Sequence, residues 1–105
     1  MSNSGLSVKD EAIREVAFGG LNASLTALGS TLSHDAFTVS IFNTTDQDIY
    51  ISVDGSTNQK RVPAGIGRVW DYKTNDMFRK SGTQFYVAYA SAPASGNVWI
   101  EVEYA

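Results

Sequence analysis

His34 is the single histidine of the chain and stands in the string Ser33-His34-Asp35. A serine, an imidazole and a carboxylate are the ingredients of nucleophilic catalysis. Three adjacent residues cannot present them in triad geometry, which is what defines that machinery. One histidine also leaves no histidine pair for a metal cage. Asn43, Asp46 and Asp48 offer oxygen ligands over a short span, with Asp54, Asp71 and Asp76 further along. Calcium takes about six to eight oxygens, and the ordered spacing of an EF-hand loop is missing. These aspartates are therefore read as turn-forming and solvated. Glu101 and Glu103 share one strand face, but paired carboxylates do glycosidic chemistry only in a cleft that raises one pKa. A charged outer face that discourages edge-to-edge pairing is the simpler reading. Gly19-Gly20 and Gly65-Ile-Gly67 lack the helix start and Lys-Ser/Thr of a phosphate loop. No catalytic residue, metal ligand or cofactor site is expected.

The elements that would position any such group are strands. Residues 36–42, 49–53, 68–72, 85–89 and 98–104 alternate apolar and polar side chains with period two, the signature of half-buried strands. Between them lie Asn43-Thr-Thr-Asp46, Asp54-Gly55, Pro63-Ala-Gly65 and Ser81-Gly82, all turn material. The expected fold is an all-β antiparallel sandwich of jelly-roll type over residues 13–105, preceded by an extended N-terminal arm over residues 1–12. Residues 85–90 and 98–104 are expected to pair across the connection at 92–96. Residues 13–34 are ambiguous: Leu21, Leu25, Leu28 and Leu32 have helical spacing, whereas Leu21, Ala23, Leu25 and Ala27 alternate with polar residues. Extended structure is the reading taken, because Gly19, Gly20 and Gly29 are poor helix formers. Val39, Ile41, Ile51, Val87, Ile100 and Val102 are the expected core, with Phe37, Phe85, Tyr89 and Tyr104 on the same apolar faces.

Composition narrows the function classes. The 105 residues carry a net charge of −3, 43% hydrophobic residues and no cysteine. One domain with a sizeable core fits that length. A protein that grips nucleic acid needs a basic stripe; Lys60, Arg61 and Arg68 are flanked instead by Asp54 and Asp71. No run approaches the roughly 20 apolar residues of a membrane span. The N-terminal residues lack the pattern of a signal peptide, so use without secretion is expected, and the sequons at Asn22 and Asn43 are read as chance matches.

The aromatic side chains are less easily absorbed. Tyr50, Tyr86 and Trp99 fall on the nominally outer faces of their strands, and Trp70 shares a face with Tyr72. With Leu6 and Val8 of the arm, Tyr50, Trp70, Tyr86 and Trp99 form a candidate protein interface, because buried aromatics anchor such contacts. A sugar-stacking platform, or a layer covered by residues 13–34, would use the same pattern.

The run Asn43-Thr-Thr-Asp-Gln-Asp-Ile-Tyr-Ile-Ser-Val-Asp-Gly55 is the most distinctive of the chain. Pro63-Ala-Gly65, Asp71-Tyr-Lys-Thr-Asn75, Gly82-Thr-Gln-Phe-Tyr-Val87 and Ser95-Gly-Asn-Val-Trp-Ile100 follow it. Together, over about residues 36–105, they resemble small β-rich virion structural proteins of tailed bacteriophages, most closely a capsid decoration (cement) protein. That resemblance implies a non-catalytic homo-oligomer, a dimer or trimer, bound to the major capsid protein and to copies of itself on the capsid surface. It implies synthesis in the host bacterial cytoplasm, with no nucleic acid, membrane or cofactor involved. A head–tail junction or tail component, and a carbohydrate-binding β-sandwich, are the alternatives.

Overall fold

The computed structural model describes residues 7–75 and 77–105. Among these residues nine strands form two antiparallel sheets: β1 (Lys9–Asp10), β2 (Arg14–Ala17), β3 (Thr26–Ala27), β4 (Ala36–Asn43), β5 (Ile49–Ser52), β6 (Lys60–Val62), β7 (Ile66–Asp71), β8 (Tyr86–Tyr89) and β9 (Asn97–Tyr104). Sheet A runs β1-β9-β4-β7, with β2 also on β9; sheet B runs β3-β8-β5-β6. Apart from β5 and β6, consecutive strands from β2 onward alternate between the sheets. That pairing order is the jelly roll expected from the sequence.

The alternating side chains explain why the sheets face each other. Val39, Ile41, Ile51, Val87, Ile100 and Val102 are all at most 1% exposed. In register, Val39 lies opposite Val102 and Ile41 opposite Ile100 at the centre of sheet A, while Ile51 lies opposite Val87 in sheet B. The two inner faces close into one cluster, which Leu21, Leu28 and Leu32 complete. Those leucines have helical spacing, yet they come from extended chain. Leu28 and Leu32 donate backbone hydrogen bonds to the carbonyls of Phe85 and Thr83, so the loop runs alongside residues 83–85 and inserts its leucines sideways. Glycine and short polar residues gave that segment little helical preference, and docking against the core decides its form.

Three expectations change in detail. Residues 85–90 and 98–104 do not pair: β8 belongs to sheet B and β9 to sheet A. Each has an inward face of its own, and residues 90–96 carry the chain across the sandwich rather than round a hairpin. Phe37 is not core, because the register slips between Ala36 and Thr38, leaving it as the extra residue of a bulge. It is half-buried, with the Lys73 ammonium 5.1 Å from its ring centre. Of the segment read as an arm, Lys9 and Asp10 pair with Tyr104 and Glu103, and the Glu11 amide donates to the Val102 carbonyl.

Asn43, at the end of β4, is buried and joins the sheets. Its Nδ2 donates to the carbonyls of Gln47, Val62 and Pro63, at 2.9, 3.1 and 3.2 Å. Its Oδ1 accepts from the Thr45 amide and hydroxyl. A buried group left without its partner costs about 1–3 kcal/mol. Asn43→Ala is therefore expected to lose on the order of 3 kcal/mol in urea unfolding. Asn43→Asp should lose more at neutral pH, since a carboxylate has no hydrogen to give three carbonyls. Equal stability of Asn43→Asp and wild type would show that this junction is dispensable.

Candidate functional site

The outer face of sheet A is the most distinctive surface. Phe42 of β4 and Trp99 of β9 lie opposite each other and stack, ring centres 5.1 Å apart. Phe42 also lies over Gly67 of β7, where an added Cβ would come within 2.7 Å of the ring. Only glycine there lets the ring lie flat on the sheet. Val69, on the same face, is 61% exposed. Around these apolar groups the register places Asp10, Glu15, Glu101, Glu103 and Asp71, and no lysine or arginine among the described residues. Trp99 Nε1 donates to Glu101 at 3.0 Å and Asn97 donates to Glu15 at 2.8 Å, which fixes two of the carboxylates.

The other candidate interface residues are dispersed. Tyr50 and Tyr86 are half-buried on the outer face of sheet B, away from Trp99. Trp70 pairs with Val39 and packs against the core, so it faces into the sandwich. Val8 is exposed, and Leu6 lies outside the described residues. The structure thus brings Trp99 together with Phe42 and Val69, which the sequence reading had not grouped with it. The register of β4 against β9 and β7 supplies that neighbourhood.

A polar cluster occupies the far end of sheet A. Arg14 is buried on β2 opposite Ile100. It donates to the backbone carbonyls of Ala12, Ser30 and Thr31 and, at 2.7 Å, to the Glu11 carboxylate. Glu11 also accepts from the amides of Ser33 and His34 and meets His34 Nδ1 at 2.9 Å. His34 stacks flat on Tyr104, ring centres 3.7 Å apart. Gly29 has φ +68°, and a Cβ there would strike the Arg14 side chain at 2.6 Å. Burial raises the Glu11 pKa, but the bonds from Arg14, His34 and Ser33 outweigh it and hold the carboxyl below its ordinary value. The Glu11 carboxylate and much of the Arg14 guanidinium are already bound within the chain, so this is a stitch between the N-terminal strands and residues 30–34. Sequence reasoning missed it. The available signal was parity: Arg14 shares its strand face with Val16, which packs on the core.

The aspartates considered as ligands hold turns. Asp46 accepts from the Ala94 amide, Asp48 from Arg61 and the Ala64 amide, and Asp54 from the Ser56 and Thr57 amides. Those two amides, with the Ser52 hydroxyl, lower the Asp54 pKa to about 2. No grouping of three or more potential metal ligands occurs among the described residues. None of their helices is long and apolar enough to cross a membrane.

No protein-family model matches the sequence, and no curated protein matches it. Among solved structures, the fold is similar to a chain from Bacillus endospore appendages, described as a novel family of disulfide-linked pili. The TM-score is 0.51 at 10% identity, covering 99% of this chain and 93% of that one. The likeness establishes a shared all-β sandwich architecture. A disulfide link is not available to this chain, which has no cysteine.

The stitch has a definite pH signature. A carboxyl whose pKa is depressed on folding stabilises the fold above its unfolded value, near 4.5, and that stability is lost as pH falls through the lower folded value. Glu11→Gln is expected to lower stability by on the order of 2 kcal/mol at pH 7, the range of charge-assisted hydrogen bonds. The deficit should shrink below about pH 4.5. Thermal unfolding of both proteins between pH 3 and 7 checks this; a pH-independent gap would assign the loss to packing alone.

Proposed function

We propose that this chain is a non-catalytic structural protein of a tailed-phage virion, a decoration protein that binds the outer capsid surface as a homo-oligomer and reinforces it. The observation that carries the proposal is the outer face of sheet A. There Phe42, Trp99 and Val69 form apolar surface that covers none of the chain's own core, framed by carboxylates of one sign. Aromatic anchors within a polar frame are the usual make-up of a protein–protein contact. The phage-like run from Asn43 to Gly55 and the jelly-roll topology, an architecture used in viral capsids, support the same reading by analogy. Its partners in this reading are the major capsid protein and copies of itself, as a dimer or trimer, with no nucleic acid, membrane or cofactor. Synthesis is in the host cytoplasm and the site of action is the virion.

A tail or head–tail junction component is the second reading. The structural likeness to a chain of pili favours it, since pili are built by repetition of subunits. A specific contact buries on the order of 1,200–2,000 Å² in total, so the aromatic face should carry a large share of it.

The test adds purified protein to undecorated phage heads and counts bound copies. Saturating occupancy, reduced about tenfold or more by Trp99→Ala or Val69→Glu and less by Glu101→Ala, is the expected result. Val69 is exposed enough for its substitution to leave the fold intact. Unbound protein that instead appears at a few copies near the portal or tail would replace the decoration reading with the junction reading.

A further inference from the structure

Between β6 of sheet B and β7 of sheet A lies a cavity of 220 Å³. Ile51, Val53, Phe85 and Trp70 form its apolar walls, and Lys60 and Arg79 are its charged liners. The other two liners, Ser52 and Gln59, are neutral and donate to the Asp54 carboxylate behind them. The charged side chains that line the cavity itself are therefore both positive. An apolar cavity of about 150 Å³ already admits a benzene ring.

Neither cation has a counter-charge among the described residues. Arg14 is neutralised by Glu11 and Arg61 by Asp48. Lys60 instead holds its ammonium 5.1 Å from the Trp70 ring centre and makes no ion pair among the described residues. Arg79 donates from Nη2 to the Tyr72 hydroxyl at 3.1 Å and lies over the Tyr72 ring. Its Nε is buried without an acceptor, the one side-chain atom in that position among the described residues. A ligand in the cavity meets the guanidinium at its amino groups, since Nε has almost no accessible surface. Carboxylates match the guanidinium fork, and aromatic walls match a ring or branched alkyl group.

We propose that this cavity binds a small apolar carboxylate. The apolar body enters between Trp70 and Phe85, and the carboxylate is held by Arg79 and Lys60. The inference is independent of where the protein assembles. Two sources present this chemistry: a free aryl or alkyl acid, and the free C-terminus of a peptide that ends in an apolar residue.

The test uses the full chain and follows backbone amide NMR shifts during titration with 3-phenylpropionate. 3-Phenylpropanol and 3-phenylpropylamine serve as neutral and cationic isosteres. Saturable shifts confined to the cavity residues are expected, with the acid at least about tenfold tighter than the alcohol, as one charge-assisted hydrogen bond provides. Lys60→Gln and Arg79→Gln should each weaken the acid severalfold and leave the alcohol unchanged. Lys60 is exposed, so its variant remains informative if Arg79→Gln does not fold. A short neutral peptide ending in Phe, compared with its C-terminal amide, separates the sources. Tighter binding of the free-acid peptide than of 3-phenylpropionate assigns a chain terminus, and weaker binding assigns a small acid. Equal binding of acid and alcohol, or acid binding unaffected by both substitutions, overturns the proposal.

Discussion

Asn43 sits where β4 leaves sheet A, 1% exposed, and the remaining architecture depends on the bonds it makes there. Its amide reaches the Gln47 carbonyl before β5, the Val62 carbonyl at the end of β6 and the Pro63 carbonyl just after it. Both of those segments belong to, or lead out of, sheet B. One side chain therefore fixes how far apart the two sheets begin and where the chain re-enters sheet A as β7. Hydrophobic burial holds the sheets together but is indifferent to small slides between them. A buried amide is not indifferent, because each misplaced partner leaves a polar group unpaired away from water. In a cysteine-free chain this directional constraint does the positional work that a disulfide does in other small domains.

The pairing of β4 with β9 depends on that anchor and passes it on. Asn43 opposite Val98 starts a register that sets Ile41 on Ile100 and Val39 on Val102, all inward. The same register forces Phe42 onto Trp99 and Ser40 onto Glu101 on the outside. Core and outer surface are thus two consequences of one alignment, since a slip of one residue would exchange them. The bulge at Phe37 ends this regular stretch near the point where Arg79 takes up Ala36 as its backbone partner.

Period-two patterning made the inner face legible in the sequence, and the residues it selected at Val39, Ile41, Ile51, Val87, Ile100 and Val102 are core. What it could not supply was which strand lies beside which. A strand reports its own two faces, not its neighbours, so β8 and β9 looked like a hairpin although they belong to different sheets. The composition of 43–46 marked a turn correctly, but the reach of Asn43 to Val62 and Pro63 depends on tertiary placement. Arg14 and Glu11 were overlooked for a related reason. Charged residues are read as solvent-facing, and here the burial of one is made tolerable by the other and by backbone carbonyls from residues 30 and 31.

Hydrogen-bonding capacity separates the polar groups of this molecule into two kinds. At Asn43, and at Glu11 with Arg14, donors and acceptors are spent within the chain, and such groups have little left to offer a ligand. Their effect is rigidity: they hold the ends of the sandwich while the core fills its centre. Arg79 is different, because its buried Nε donor has no acceptor, which is energetically unfavourable in the isolated chain. The exposed Val69 beside the stacked Phe42 and Trp99 is the apolar counterpart, surface that the fold does not use for its own core. Both features lie on or beside β7, the edge strand of sheet A farthest from β1 and β2. An edge strand bonded on one side only is the part of a sheet that can change partners without disturbing the rest. The rigid anchor at Asn43 and the open chemistry along β7 therefore divide the labour. One end of the β4 register secures the fold, and the strand paired to it presents what the fold leaves unsatisfied.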